Sequence, residues 1–192
     1  MDSSEVKDRG VLPRYVRLWI VYRFGEKGLA RVLDRLGPQT KAMLTKPVPH
    51  EWYPVSLTKE LYRAVDVEFS TAHPDALHSL GSFIADHSVR GFLKYLARLV
   101  SMQKVLARVG LIWRRYHDGG SVETSILKKD DARVEGILTI KDYDAGQVWC
   151  KLMDAYLETF AASTGAKNVK VEKKDCIHTG DDVCSWHISW TP

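Results

Sequence analysis

Leu111-Ile112-Trp113-Arg114-Arg115-Tyr116-His117-Asp118-Gly119-Gly120 is the stretch on which the reading of the fold turns. Before it, apolar residues recur at three- and four-residue spacing. After it, they alternate with polar ones, the period of a half-buried strand. Asp118-Gly119-Gly120 is a strong turn signal. Read as a strand, 111–117 becomes the first arm of a three-stranded antiparallel meander. Val122 to Leu127 is the return arm, and Lys128 to Asp131 a charged turn. Arg133 to Ile140 is the third arm, with Val134, Gly136, Leu138 and Ile140 on one side.

Toward the C-terminus, Asp144 and Gln147 have the spacing of a capping box. They open the strongest amphipathic helix of the chain, with Val148, Trp149, Leu152, Met153, Tyr156, Leu157 and Phe160 as its apolar residues. Gly165 ends it. Asn168 to Lys173 and Val183 to Trp190 then read as the last two strands. In the final one Cys184, Trp186, Ile188 and Trp190 face one way, and Ser185, His187 and Ser189 the other.

Toward the N-terminus, helical periodicity runs over 11–36 with a break at Phe24-Gly25-Glu26, and Gly37-Pro38 closes it. Pro47, Pro49 and Pro54 mark an irregular stretch. Ser56 is placed to cap a helix through Phe69, and Pro74 suits the first turn of the next. A further helix carries Phe92, Leu93, Leu96 and Val100 and continues to Gly110, with Arg90, Lys94 and Arg98 as a solvated basic face. The expected organisation is a flexible terminus (1–10), a helical part (11–110), and a sheet with one long helix (111–192). The fold class is α/β in the broad sense, α+β. A helical N-terminal layer accompanies a mainly antiparallel five-stranded sheet covered by the long helix.

The chain has 192 residues, 45% hydrophobic and 27% charged, with a net charge of +4. That balance suits one globular unit. Lys and Arg are scattered rather than gathered on a motif, which argues against nucleic acid. No window approaches a membrane span, and the polar N-terminus lacks a secretory signal. The expectation is a cytoplasmic protein.

All three cysteines belong to the C-terminal unit: Cys150 on the long helix, and Cys176 and Cys184 around His178-Thr179-Gly180-Asp181-Asp182. Cysteines in a cytosolic chain suggest a metal or reactive thiols before disulfides. Zinc takes four ligands, with thiolates favoured at structural sites. Glu172, Asp175, His178, His187 or a water could complete the set, and His178, in the turn between two cysteines, is the best placed. The competing account makes all three buried core residues. Absence of a Cys-x-x-Cys disfavours a dithiol oxidoreductase.

The run Trp113 to Gly120, Cys150, and Cys176 and Cys184 around Thr179-Gly180-Asp181 together resemble the 4-vinyl reductase domain over about residues 101–190. This small-molecule-binding domain is grouped with haem-nitric-oxide-binding domains and TRAPP vesicle-tethering subunits. The resemblance implies an aromatic effector beside a structural zinc. It places that zinc on Cys150, Cys176, Cys184 and a glutamate three residues before the second cysteine. Here that position is Lys173. Haem-binding members carry a Tyr-x-Ser-x-Arg signature that this sequence lacks, so haem is disfavoured, with His78 and His87 as surface or core histidines.

Trp113 and His117, on one strand face, are expected to line an aromatic pocket. There is no dinucleotide fingerprint, phosphate loop or nucleophile motif, so no enzyme is expected. The expected function is non-enzymatic sensing of a small hydrophobic or aromatic molecule, with a possible structural zinc. Signalling would pass through a homodimer or a protein partner. The alternatives are a TRAPP-like scaffold without ligand, and a tetrapyrrole-associated or haem-binding protein.

Overall fold

The computed structural model describes residues 5–90, 102–130 and 132–192. Helix α1, Val11–Leu33, buries Val16, Trp19, Ile20, Leu29 and Val32. It is kinked at Gly25, whose φ of 68° is left-handed backbone that glycine adopts without a Cβ clash. The break expected at Phe24-Gly25-Glu26 is present: two helical stretches meet at this non-helical residue. Pro38, expected only to stop a helix, also begins one: α2, Pro38–Thr45. Glu60 serves its N-terminus, accepting the Gly37 N–H at 2.7 Å and the Thr40 hydroxyl. Glu60 lies on α3, Val55–Phe69. Helix α4, Ala76–Arg90, follows. Ser56, the expected cap of α3, instead lies inside the helix, and its N–H donates to the Glu5 carboxylate at 2.9 Å.

Residues 7–9, assigned to a flexible terminus, form strand β1, Lys7–Arg9. It pairs antiparallel with β2, Trp52–Pro54. The basic face of Lys94 and Arg98, with Phe92, Leu93, Leu96 and Val100, lies outside the described residues. Two short helices come next, α5, Met102–Leu106, and α6, Val109–Tyr116.

Helix α6 corrects the reading of 111–117 as a strand. Val109, Ile112, Trp113 and Tyr116 are turned inward at helical spacing, while Leu111 is 70% exposed. The apolar residues therefore obey the helical period, and Asp118-Gly119-Gly120 joins a helix to a strand rather than two strands. Among the described residues the sheet accordingly has four strands instead of five. They are β3, Ser121–Lys129; β4, Val134–Lys141; β5, Lys167–Lys173; and β6, Cys184–Thr191, in the antiparallel order β3-β4-β6-β5. The α+β class stands.

Strands β4 and β6 form the centre. Their register sets Ile140, Leu138, Gly136 and Val134 against Cys184, Trp186, Ile188 and Trp190. Apart from Gly136 these are buried hydrophobics, and Trp186 and Trp190 are among the largest fully buried side chains. Burial of one such side chain contributes ~2–3 kcal/mol.

Helix α7, Gln147–Ser163, packs against α3, α4 and β5. The expected Asp144–Gln147 capping box does not form. Gly146 is the cap, and Asp144 accepts the Gly146 N–H at 2.9 Å and pairs with Lys59 at 2.6 Å. Helices α4 and α7 meet closely at Gly81, where a Cβ would stand 2.1 Å from the Leu152 carbonyl oxygen. Among the described residues no helix is long and apolar enough to cross a membrane.

Candidate functional site: an apolar cavity and a thiol cluster sharing one helix

A cavity of about 100 Å³ lies among α5, α6, α7 and the sheet. Met102, Val105 and Leu106 line it from α5, Val109, Ile112, Trp113 and Tyr116 from α6, and Val122, Leu138, Ile140 and Ile188 from the sheet. Helix α7 closes it with Trp149, Leu152, Met153, Tyr156, Leu157 and Phe160. These positions are a turn or so apart on α7, so a single helix face supplies a continuous wall.

Trp113 and His117 both line the cavity, at the end of a helix rather than on a strand face. Four residues apart, their rings stack with centroids 4.0 Å apart. The Trp113 indole N–H donates to the Gly119 carbonyl at 2.9 Å, which fixes the ring. His117 Nδ1 lies 2.7 Å from Oδ1 of Asp8, a carboxylate with no solvent exposure. The Tyr143 hydroxyl also donates to Asp8, at 3.0 and 3.2 Å to its two oxygens. Burial, and then the Asp8 charge, push the Tyr143 phenol well above its ordinary value.

Sequence reasoning missed both Asp8 and Tyr143. They lie 109 and 26 positions from His117, and nothing local announces the contact. Strand β1 delivers Asp8. The Lys7 N–H donates to the Asp118 carboxylate at 2.6 Å, and the Asp118 N–H donates back to the Lys7 carbonyl at 3.0 Å. Asp8 and His117 form an isolated antiparallel bridge. At another wall Ser88 lies with Tyr116 and Tyr156, whose phenols burial pushes up. The cavity is thus apolar with two small polar points, the general make-up of a ligand site.

At the N-terminal end of α7 the three cysteines converge. Cys150 Sγ is 3.6 Å from Cys184 Sγ and 3.9 Å from Cys176 Sγ, all three within 4.8 Å of one another and all buried. Asp181 shapes the intervening turn by accepting the Cys176 N–H at 2.7 Å. Burial is the main influence on the Cys150 thiol and pushes it up, while the charge of Lys173 opposes the rise.

The donors considered for a fourth zinc ligand are engaged elsewhere. His178 stands 3.3 Å from Asp144, so it is not drawn into the cluster. Glu172 pairs with Lys174 at 2.8 Å, Asp175 accepts the Ser185 hydroxyl, and His187 lies 3.2 Å from Glu135. The Lys173 ammonium is buried, makes no hydrogen bond among the described residues, and lies 3.3 Å from the centre of the Trp186 ring. Among the described residues no fourth protein donor joins the three thiols, where a structural zinc site takes four.

No protein-family model matches the sequence, and no curated protein does. The fold is similar to that of H-NOX (haem-nitric-oxide-binding) proteins. The S. oneidensis H-NOX protein in its Fe(II)NO state superposes with a TM-score of 0.72 at 14% identity, over 96% of this chain and 99% of that one. Unliganded Fe(II) H-NOX from K. algicida gives 0.65 at 12% identity, over 96% and 97%. The NMR structure of the Shewanella oneidensis H-NOX domain in its Fe(II)CO state gives 0.66 at 14%, over 94% and 97%.

At these identities the likeness shows the fold alone. It nonetheless corrects the cofactor expectation. That expectation put zinc first and disfavoured haem for want of a Tyr-x-Ser-x-Arg signature. The neighbours that share the fold are haem proteins, so the missing signature does not set haem aside. His78 lies 3.8 Å from Glu158, and His87 stacks on Phe83. Among the described residues His117 is the histidine that lines the cavity.

Proposed function

We propose that this chain is a non-enzymatic sensory domain that holds a small hydrophobic or aromatic molecule in the cavity beside His117. Occupancy would pass to a second copy or to a partner protein. It would be a small-molecule-binding chain of the kind that the 4-vinyl reductase resemblance implies. The observation that carries the reading is the cavity, an apolar void in an otherwise close-packed interior. An apolar cavity of this order accepts a single aromatic ring. Trp113 offers a face to such a ring, and His117 offers Nε2, the nitrogen that Asp8 leaves free.

The Asp8–His117 pair supports haem in the same place as a second reading. A metal-ligating histidine characteristically gives its other ring N–H to a carboxylate. His117 would hold the iron, and Met102 and Met153 line the same walls. When bound, haem supplies coordination of a diatomic gas. The void is of single-ring size, so admission of a macrocycle requires the walls to part. Asp8 would fix the imidazole, and the apolar walls would exclude water from it.

One pair of measurements separates the readings. Purified protein is titrated with haemin and followed by visible absorption, and its melting temperature is recorded with benzene, phenol and indole. A Soret band lost in His117→Ala assigns haem. A rise in melting temperature with a single-ring compound, absent when Trp113 is changed to Ala, assigns the smaller ligand. Neither response overturns the sensory reading and leaves the TRAPP-like scaffold in its place.

A further inference from the structure

Helix α1 carries a row of exposed side chains along its seam with α4. Leu18 is 42% exposed and Tyr22, one turn further on, 83%. At the same four-residue spacing the row extends back to Arg14 and forward to Glu26, just past the kink at Gly25. Phe83 and His87 flank it from α4. The Tyr22 ring lies 6.1 Å from that of Phe83, Phe83 stacks on His87 at 3.9 Å, and His87 meets Tyr15 at 5.6 Å. The Tyr15 hydroxyl donates to the His87 carbonyl at 3.3 Å, which ties the two helices at this edge.

Exposed apolar residues scattered singly are ordinary, whereas a contiguous group marks a contact surface. Here Tyr15, Leu18, Tyr22, Phe83 and His87 form one ledge, already ordered by its own ring contacts. Tyrosine gives large contact area at small entropic cost and is enriched where binding energy concentrates.

Charge indicates what covers the ledge. The two helices run antiparallel, since Tyr15 meets His87, Trp19 bonds Ser79 and Arg23 bonds Asp75. One end of the ledge therefore carries Arg14 and, beside His87, Asp86; the other carries Glu26 and Lys27. All four are exposed, and none forms an ion pair among the described residues. A two-fold axis between Leu18 and Tyr22 lays the ledge on itself end to end. Arg14 of one copy then comes to the Glu26 end of the other, Asp86 to the Lys27 end, and Leu18 meets Tyr22. Each such contact is made twice in a two-fold pair.

We propose that this ledge is the surface on which a second copy of the chain docks, with its α1 antiparallel, around Tyr22. Ile84 and Ser88, next in sequence to Phe83 and His87, line the cavity, so α4 spans from ledge to cavity. The passage of occupancy to a second copy would run through α4. That passage rests on the ligand reading above, and the interface does not.

The test is sedimentation equilibrium of the full chain, without added ligand, at micromolar concentrations. The wild type is expected as a reversible dimer and Tyr22→Lys as a monomer. Arg14→Glu and Glu26→Arg should each weaken association about tenfold, and the two together should restore it. A merely structural role for either residue would give no such recovery. Leu111→Lys, at a 70% exposed position on α6, should leave the dimer unchanged. A monomeric wild type overturns the proposal, as does a dimer indifferent to Tyr22→Lys or a charge swap without recovery. Should Tyr22→Lys fail to fold, the charge swap decides alone. With no ligand present, failure here leaves the cavity reading standing, and failure of that reading leaves the interface standing.

Discussion

Helix α7 borders two buried regions that depart from ordinary packing in opposite ways. Along most of its length it faces the cavity, where Trp149, Leu152, Met153 and Tyr156 surround a void of about 100 Å³. At its head it faces the thiol cluster, where sulfur atoms touch, and next to Cys184 on β6 a lysine ammonium is buried on the Trp186 ring. The first region lacks atoms and the second carries a charge it cannot solvate. Each is a local cost in a core that is otherwise filled with tryptophan, leucine and isoleucine. Polar or unfilled sites inside such a core mark places where packing alone does not account for the sequence. The proposed function places a ligand in the cavity, and the cluster packs the head of α7 against β6.

The sharpest way to break the comparison is to move the helix both regions share. Gly81→Ala sets a Cβ against the Leu152 carbonyl. It is expected to push α4 off α7, to cost about 4 kcal/mol, and to disturb both regions. Urea unfolding measures the loss. Asp8→Ala touches the cavity alone. It strips the acceptor from His117 and Tyr143 and should cost about 3 kcal/mol. Thiol reactivity at the cluster should be unchanged, and a change there would show that the regions are coupled.

Two substitutions should stabilise the protein, for opposite reasons. Lys173→Met keeps an apolar stem on Trp186 and removes the enclosed charge. It is expected to add about 1–2 kcal/mol, read as a higher midpoint in urea. Leu106→Phe adds atoms to the cavity wall and should add about 1 kcal/mol while cancelling any rise in melting temperature with single-ring compounds. Stabilisation with that response intact would move the ligand elsewhere.

Alkali sharpens the contrast most gently. Burial raises Cys150 at the cluster and Tyr62, Tyr143 and Tyr156 in and around the cavity. A group whose folded value is raised keeps its proton after the unfolded chain has lost it. Its contribution is therefore complete below the unfolded value and declines as pH rises. The decline should start near pH 8.5 for the thiol and near pH 10 for the phenols. Melting curves across that range should show an earlier phase missing in Cys150→Ala and a later one reduced in Tyr156→Phe.

Much of the fold was legible in periodicity. The helix over 147–163, the kink at Gly25 and the alternation of β6 all follow from local spacing. The misreading of 111–117 has a definite cause. Seven residues with two arginines in the middle give few repeats of either period, and Asp-Gly-Gly suits a hairpin as well as a helix exit. Placing Val109 and Ile112 with Trp113 and Tyr116 restores the helical pattern. The partners of His117 were not legible. Asp8 lies on a three-residue strand whose pairing is decided by residues 52–54 and 117, and no window of the sequence contains both ends of that contact.

By itself the sequence determined the long helices and the strands after Gly120, their inward residues, and the gathering of the cysteines on a helix and two strand ends. These depend on neighbours three, four or two residues away. Only the tertiary structure decided that Asp8 meets His117, that His178 turns to Asp144, and that Lys173 is enclosed above Trp186. Those outcomes depend on which buried polar group finds an acceptor once helices and sheet have closed, a matter of three-dimensional distance that spacing along the chain does not encode.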